Sequence, residues 1–178
     1  MTTFATTTAT APANSPPLHT ISVLVRNQPG VLVRVALVFA RRGYNIESLV
    51  VSADPSNHEF SRMTITCSGD PDTLEQIIKQ VAKLVDVVRA IDHTGQSVVE
   101  TEIGLIKIKA GLHERTEILQ VAEHYQAKVV DCSATSLMLR VTGASEKLDS
   151  FITLLRPFGV VELVRSGKIL MTRGPEPT

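Results

Sequence analysis

Asn27, Pro29 and Gly30, with Asn45 further on, are the residues of this chain whose types and spacing suggest chemistry, and that chemistry is binding. They bracket the run NQPGVLVRVALVFARRGYNIES. Proline suits the first turn of a helix, and glycine lets the backbone come close to whatever lies at the helix start. A helix beginning here offers unpaired N–H groups on Gly30, Val31 and Leu32 and the positive end of its dipole, which together suit a carboxylate. Asn27 can present a carbonyl to an ammonium group or an amide N–H to a carboxylate, so a zwitterionic amino acid can be held at both ends. Asn45 and Ile46 open the next strand-like run. The same Asn-Gln-Pro-Gly sequence also reads as an ordinary turn with a helix cap, and spacing alone leaves both readings open.

Bond-making equipment is not visible. His19, His58, His93, His113 and His124 have no companion at metal-ligand spacing, and HERTEILQVAEH places its two histidines eleven positions apart, too far for a zinc helix. They are read as surface or packing residues. No nucleophile elbow, phosphate loop or dinucleotide glycine pattern occurs. Glu47, Asp70, Asp72, Glu75, Glu114 and Glu117 fall at helix starts or strand faces, where capping and solvation explain them. Cys67 and Cys132 each sit in a strand-like run, so both are expected to be buried thiols in a reducing compartment.

The elements that must position the bracket follow from periodicity. HTISVLVRN (19–27) alternates as a strand, and GVLVRVALVFARRG places Val31, Val35 and Phe39 on one helical stripe that ends in Arg41, Arg42 and Gly43. YNIESLVVSA and EFSRMTITCS are strands joined by the turn formers of DPSNH. DPDTLEQIIKQVAKL carries Leu74, Ile77, Ile78 and Val81 at helical spacing, and VDVVRAIDH closes with a strand. The order β-α-β-β-α-β is the ferredoxin-like motif, with the first and third strands central and both helices on one face. The second strand is then an apolar edge with no Lys or Pro to blunt it, a template for pairing with a second copy, and a homodimer is expected.

A degenerate repeat follows. MTITCSGDPDTLEQIIKQV (63–81) aligns without a gap on LMLRVTGASEKLDSFITLL (137–155), matching Gly69 to Gly143, Leu74 to Leu148, Ile78 to Ile152 and Val81 to Leu155. With IGLIKIKA (103–110), ERTEILQVAEHY (114–125), AKVVDCSA (127–134) and FGVVELVRSG (158–167), the second half repeats the motif. The expected fold class is α+β, two ferredoxin-like βαββαβ domains in tandem: 19–94, a linker over 95–101, and 102–174. The second copy has AGLHER in place of NQPG and no counterpart of Asn45, so the site belongs to the first domain.

Composition narrows the function classes. The 178 residues are 43 % hydrophobic, enough for two small cores, and 18 basic residues balance 18 acidic ones, so no bulk field draws the chain to nucleic acid or anionic lipid. With 4 % aromatics, stacking platforms for RNA on the sheet are not expected. The Thr-, Ala- and Pro-rich stretch 1–18 and the end 175–178 read as disordered tails. Nothing approaches the ~20 apolar residues of a membrane span, and a cytoplasmic protein is expected.

The run SVLVRNQPGVLVRVALVFARRGYNIESLVVS, followed by SRMTITCSGD, LEQIIKQVAKLVDV and VELVRSG, closely resembles the regulatory (small) subunits of acetolactate synthase, also called acetohydroxyacid synthase, over about residues 19–174. RRGYNIESL carries more of the likeness than the generic turn of an ACT domain, the amino-acid-sensing fold that the first half resembles. The resemblance implies a chain without an active site of its own. Such a chain binds and activates the catalytic (large) subunit, on which thiamine diphosphate, Mg and FAD are expected, and confers feedback inhibition by valine in branched-chain (isoleucine and valine) biosynthesis. It also implies that the effector lies at an ACT dimer interface, against Asn27, Pro29, Gly30, Val31, Leu32, Asn45 and Ile46. The sequence departs from the family at Gln28, where an acidic residue is usual, and at Val33, where a small polar residue is common. A free-standing ACT-type sensor acting on a transcription factor or another enzyme is the alternative.

Overall fold

The computed structural model describes residues 17–175 and 178. The tails expected over 1–18 and 175–178 thus lie outside the described residues at 1–16 and at 176 and 177; Leu18 already opens a strand.

The first unit runs β1 (Leu18–Arg26), α1 (Val31–Arg41), β2 (Asn45–Ala53), β3 (Phe60–Ser68), α2 (Pro71–Val81), β4 (Val87–Asp92), in an antiparallel sheet of order β2-β3-β1-β4. Ile21, Val23 and Val25 of β1 and Met63, Ile65 and Cys67 of β3 point to one face, as the two-residue period demands. Val31, Val35 and Phe39 of α1 and Leu74, Ile77 and Val81 of α2 close over them. At the start of α2, Pro71 occupies the first turn and the Asp70 carboxylate accepts from Thr73 N–H at 2.9 Å.

The second unit repeats the pattern: β5 (Val98–Lys109), α3 (Arg115–His124), β6 (Lys128–Cys132), β7 (Ser136–Gly143), α4 (Ser145–Leu155), a 3₁₀ turn (Arg156–Phe158) and β8 (Val160–Arg165), with sheet order β6-β7-β5-β8. The aligned pairs are equivalent in space. Leu74 and Leu148, and Val81 and Leu155, are core residues, and Gly69 and Gly143 both have positive φ where a strand hands over to a helix. A Cβ on Gly69 would run into the Tyr44 ring, whose hydroxyl donates to Asp70 O.

Three features differ from the sequence expectation. A further strand, β9 (Ile169–Thr172), pairs with Val98–Thr101, so most of the expected linker is the first part of β5. This ribbon and the β8–β9 turn lie over the helix-free face of the first sheet, where Thr20, Ser22, Thr64 and Thr66 are buried. Finally, Cys67 is buried and its thiol is pushed up to about 11 by desolvation, but Cys132 is exposed, because β6 is a short edge strand with every residue open to solvent.

Candidate functional site

The turn between β1 and α1 is built from its backbone. Asn27 N–H donates to Glu59 O at 2.7 Å, and Asn27 Nδ2 donates to His58 O at 3.0 Å, so this side chain ties the turn to the β2–β3 connection. With Nδ2 engaged, Asn27 Oδ1 is the group that can accept from an ammonium. Arg26, Asn27, Gln28, Glu59 and Phe60 line an open depression of about 350 Å³.

Gly30 stands at the N-cap of α1 with φ +83°, a left-handed conformation that a side chain strains. Among the described residues no side chain caps this helix, and its first turn carries no acidic residue. Of the three N–H groups expected to be open, that of Val31 donates to Gln28 O at a long 3.4 Å. Val31 itself is a core residue, so only its backbone can meet a ligand, whereas Leu32 is 42 % exposed. Sequence reasoning missed Arg34. Its guanidinium reaches back over the helix start, with Nη1 3.4 Å from where a Gly30 Cβ would sit, and Nη2 pairs with Asp86 Oδ2 at 2.6 Å. Its i+4 spacing from Gly30 was the available signal, since helical side chains lean toward the N-terminus. The helix start thus combines uncapped amides with a nearby cation.

Asn45 and Ile46 are elsewhere. Asn45 pairs with Ser68, which pairs with Leu18, whereas Asn27 follows the opposite end of β1, about 26 Å away at ~3.3 Å per residue. Asn45 Nδ2 donates to Glu47 Oε1 at 2.9 Å, and Ser68 Oγ donates to the same oxygen at 2.8 Å, bonds that hold the Glu47 carboxyl below its usual range. Ile46 packs against the first core. One chain therefore does not assemble the seven residues; they form two groups at opposite ends of the sheet. Asn45 and Ile46 stand on β2, which pairs only with β3 among the described residues, whereas Asn27 follows β1 on the other side of β3; the flank of α1 exposes Leu32, Val33 and Leu37.

The matching turn of the second unit fills itself. Glu114 Oε2 accepts from Gly111 N–H at 3.3 Å, and Arg115 Nη2 donates to Ala110 O at 3.3 Å and Ser133 O at 2.5 Å. Elsewhere Ser22 Oγ lies 2.7 Å from His93 Nε2, with Gln96 Oε1 on the other ring nitrogen at 3.2 Å. Ser22 and His93 are buried under the second unit, and desolvation lowers the His93 pKa, so the pair is a packing clasp, as is His19 on Gly69 O. Among the described residues no cluster of three His, Cys, Asp or Glu is placed to hold a metal, and no helix is long and apolar enough to cross a membrane.

Comparison with known proteins agrees with this division of the chain. Residues 21–89 match the model of the AHAS small subunit-like ACT domain, and residues 101–174 match that of the small subunit of acetolactate synthase. The acetolactate synthase small subunit of Mycolicibacterium smegmatis is 42 % identical over 163 residues, covering 92 % of this chain and 95 % of that protein. The probable acetolactate synthase small subunit of Archaeoglobus fulgidus is 46 % identical over 156 residues, covering 88 % and 97 %. The crystal structure of the Thermotoga maritima small subunit superposes with a TM-score of 0.80 at 38 % identity, over 90 % of this chain and 99 % of that one. Likeness of this extent through both units, and not only at the turn before α1, places the chain in the family of acetolactate synthase small subunits.

Proposed function

We propose that this chain is the regulatory partner of a thiamine-diphosphate-dependent acetolactate synthase catalytic subunit, that it raises that subunit's activity, and that it confers feedback inhibition by valine. The chemistry, with its thiamine diphosphate, Mg and FAD, belongs to the partner in this reading. The observation that carries it is the uncapped, left-handed start of α1, in a sheet whose β2 edge pairs only with β3 among the described residues. A carboxylate suits the first-turn amides and the Arg34 guanidinium, and Asn27 Oδ1 suits the ammonium. Two copies joined antiparallel along β2 bring Asn45 and Ile46 of one to the Asn27–Leu32 end of the other, which completes a small site with polar ends and apolar walls. Because the ligand then touches two subunits, its binding biases how they sit together, and this supplies the two states that feedback requires.

Calorimetric titration of the purified chain with valine, leucine, isoleucine and an unrelated amino acid, in wild type and Asn27→Ala, tests this. Valine-selective binding, weakened in the variant, is expected. Equal binding of all four ligands, or a variant that binds as wild type does, sinks the site. Co-purification with the catalytic subunit is expected in parallel.

A further inference from the structure

The start of β2 is irregular, and the irregularity faces the second unit. Ile46 pairs with Cys67 and Ser48 with Thr66, so Glu47 is an extra residue in a β-bulge. Its carboxylate pins the bulge through Asn45 Nδ2 and Ser68 Oγ. The bulge changes the phase of the strand: Ile46 and Leu49 both pack on the core, and Ser48 and Val50 turn to the helix-free face.

There they meet the β8–β9 turn. Gly167, at φ +80°, approaches so closely that a Cβ on it would stand 2.8 Å from both Cβ and Oγ of Ser48 and 3.4 Å from Cγ2 of Val50. The residues around Gly167 are clamped to their own unit. Arg165 Nε and Nη2 donate to Glu102 Oε2 at 2.9 and 2.6 Å, its Nη1 donates to Asp149 Oδ1 at 2.5 Å, and Ser145 Oγ donates to Glu102 Oε1 at 2.5 Å. Ser166 Oγ accepts from Ile103 N–H at 3.0 Å, and Lys168 Nζ donates to both Glu100 oxygens at 2.9 and 3.0 Å. Beside the contact the units do not close. A cleft of about 560 Å³ remains, bordered by Thr66, whose residue is 4 % exposed and whose Oγ1 has no partner among the described residues. The small-to-small contact at Ser48 and Gly167 is therefore tight while its surroundings leave room for displacement.

We propose that the bulged start of β2 is a coupling strut, which carries displacement from the Asn45–Ile46 end through the Ser48–Gly167 contact to the clamped β8–β9 turn. The second unit thereby senses the state of the first unit's sheet edge. The proposal rests on the effector reading of Asn45 and Ile46, and two arms of one experiment separate the failures.

In the first arm, hydrogen exchange of the full chain without effector compares wild type, Gly167→Ala, and Gly167→Ala combined with Ser48→Gly. Gly167→Ala should speed exchange at 166–172 and also at 45–51. The double variant should slow exchange at 45–51 again, because Ser48→Gly removes the atoms that the new methyl strikes, while the strain of an alanine at φ +80° stays within 166–172. A change confined to 166–172, or no rescue, reduces Gly167 to a local turn residue and overturns the strut. In the second arm, with the catalytic subunit present, Gly167→Ala should bind valine within about threefold of wild type while half-inhibition needs about tenfold more valine, and the double variant should restore sensitivity. Binding and inhibition falling together, or neither changing, overturns it. Should Gly167→Ala unfold the turn, Ser48→Val delivers the same push from β2, where a β-branched residue is at home. Wild type that binds no valine sinks the effector reading and leaves the first arm to decide the strut.

Discussion

The two halves of this chain make the same turn from first strand to first helix and finish it with different side chains. After β1 the helix starts at a left-handed Gly30 with no side-chain cap, and Arg34 leans over its end. After β5, Glu114 sets its own carboxylate on Gly111 N–H, and Arg115 spans to Ala110 O and Ser133 O. Both helices start without a side-chain cap, but the second turn engages its own carboxylate and guanidinium on its backbone, whereas at the first the Arg34 guanidinium turns to Asp86. A duplicated fold can thus finish the same turn differently in its two copies through a few side chains, with no change in topology.

Core truncation gives the largest expected effect and shows whether the halves stand alone. Phe39→Ala in the first core and Phe151→Ala in the second should each destabilise by about 3–5 kcal/mol. Thermal unfolding that splits into two transitions, each moved by one variant only, would mean independent units; a single shared transition would mean that the β5–β9 ribbon joins them.

Filling the empty turn comes next. Gly30→Asp adds a carboxylate where the effector's is expected and strains a φ of +83°. Valine inhibition of the reconstituted enzyme should be lost, by about 3 kcal/mol or on the order of 100-fold in affinity, with activation retained. Full valine sensitivity in Gly30→Asp would erase the contrast between the turns.

Emptying the filled turn is the smaller converse. Glu114→Ala frees Gly111 N–H and should cost about 0.5–1.5 kcal/mol in a denaturation midpoint. It should leave valine binding untouched, and a changed valine titration would show that the second turn is not mere framework. Asp70→Ala, which removes the cap of α2, should cost about 1 kcal/mol and likewise spare binding.

The thiols mark the two sheets without mutation. Under native conditions a thiol reagent should modify Cys132 on the exposed edge and spare Cys67, whose buried thiol is raised to about 11; both should react in denaturant. Mass spectrometry that finds Cys67 modified first would reverse the comparison of a sealed first sheet with an open edge in the second.

Much of the fold was legible because its causes are local. Val31, Val35 and Phe39 share a stripe at any register, and Asp70 before Pro71 marks a helix start wherever the helix docks. β9 was not legible. Ile169–Thr172 is a short run whose partner, Val98–Thr101, lies far upstream in what reads as a linker. The Glu47 bulge was hidden as well, since apolar residues at 46, 49, 50 and 51 do not reveal their faces until β3 sets the register. Cys132 was misjudged because β-propensity marks a strand without saying whether a helix covers it.

Short-range chemistry is thus enough to dictate the order of elements, both cores and a helix start at Gly30. Propensity, caps and hydrophobic period act over a few residues, and these were on the chain before it folded. Packing between distant segments decided the rest. It put Asn27 and Asn45 at opposite ends of one sheet, laid the β5–β9 ribbon on a face of threonines and serines, and set Gly167 against Ser48. Those outcomes depend on register and on which face is covered, which no local pattern specifies.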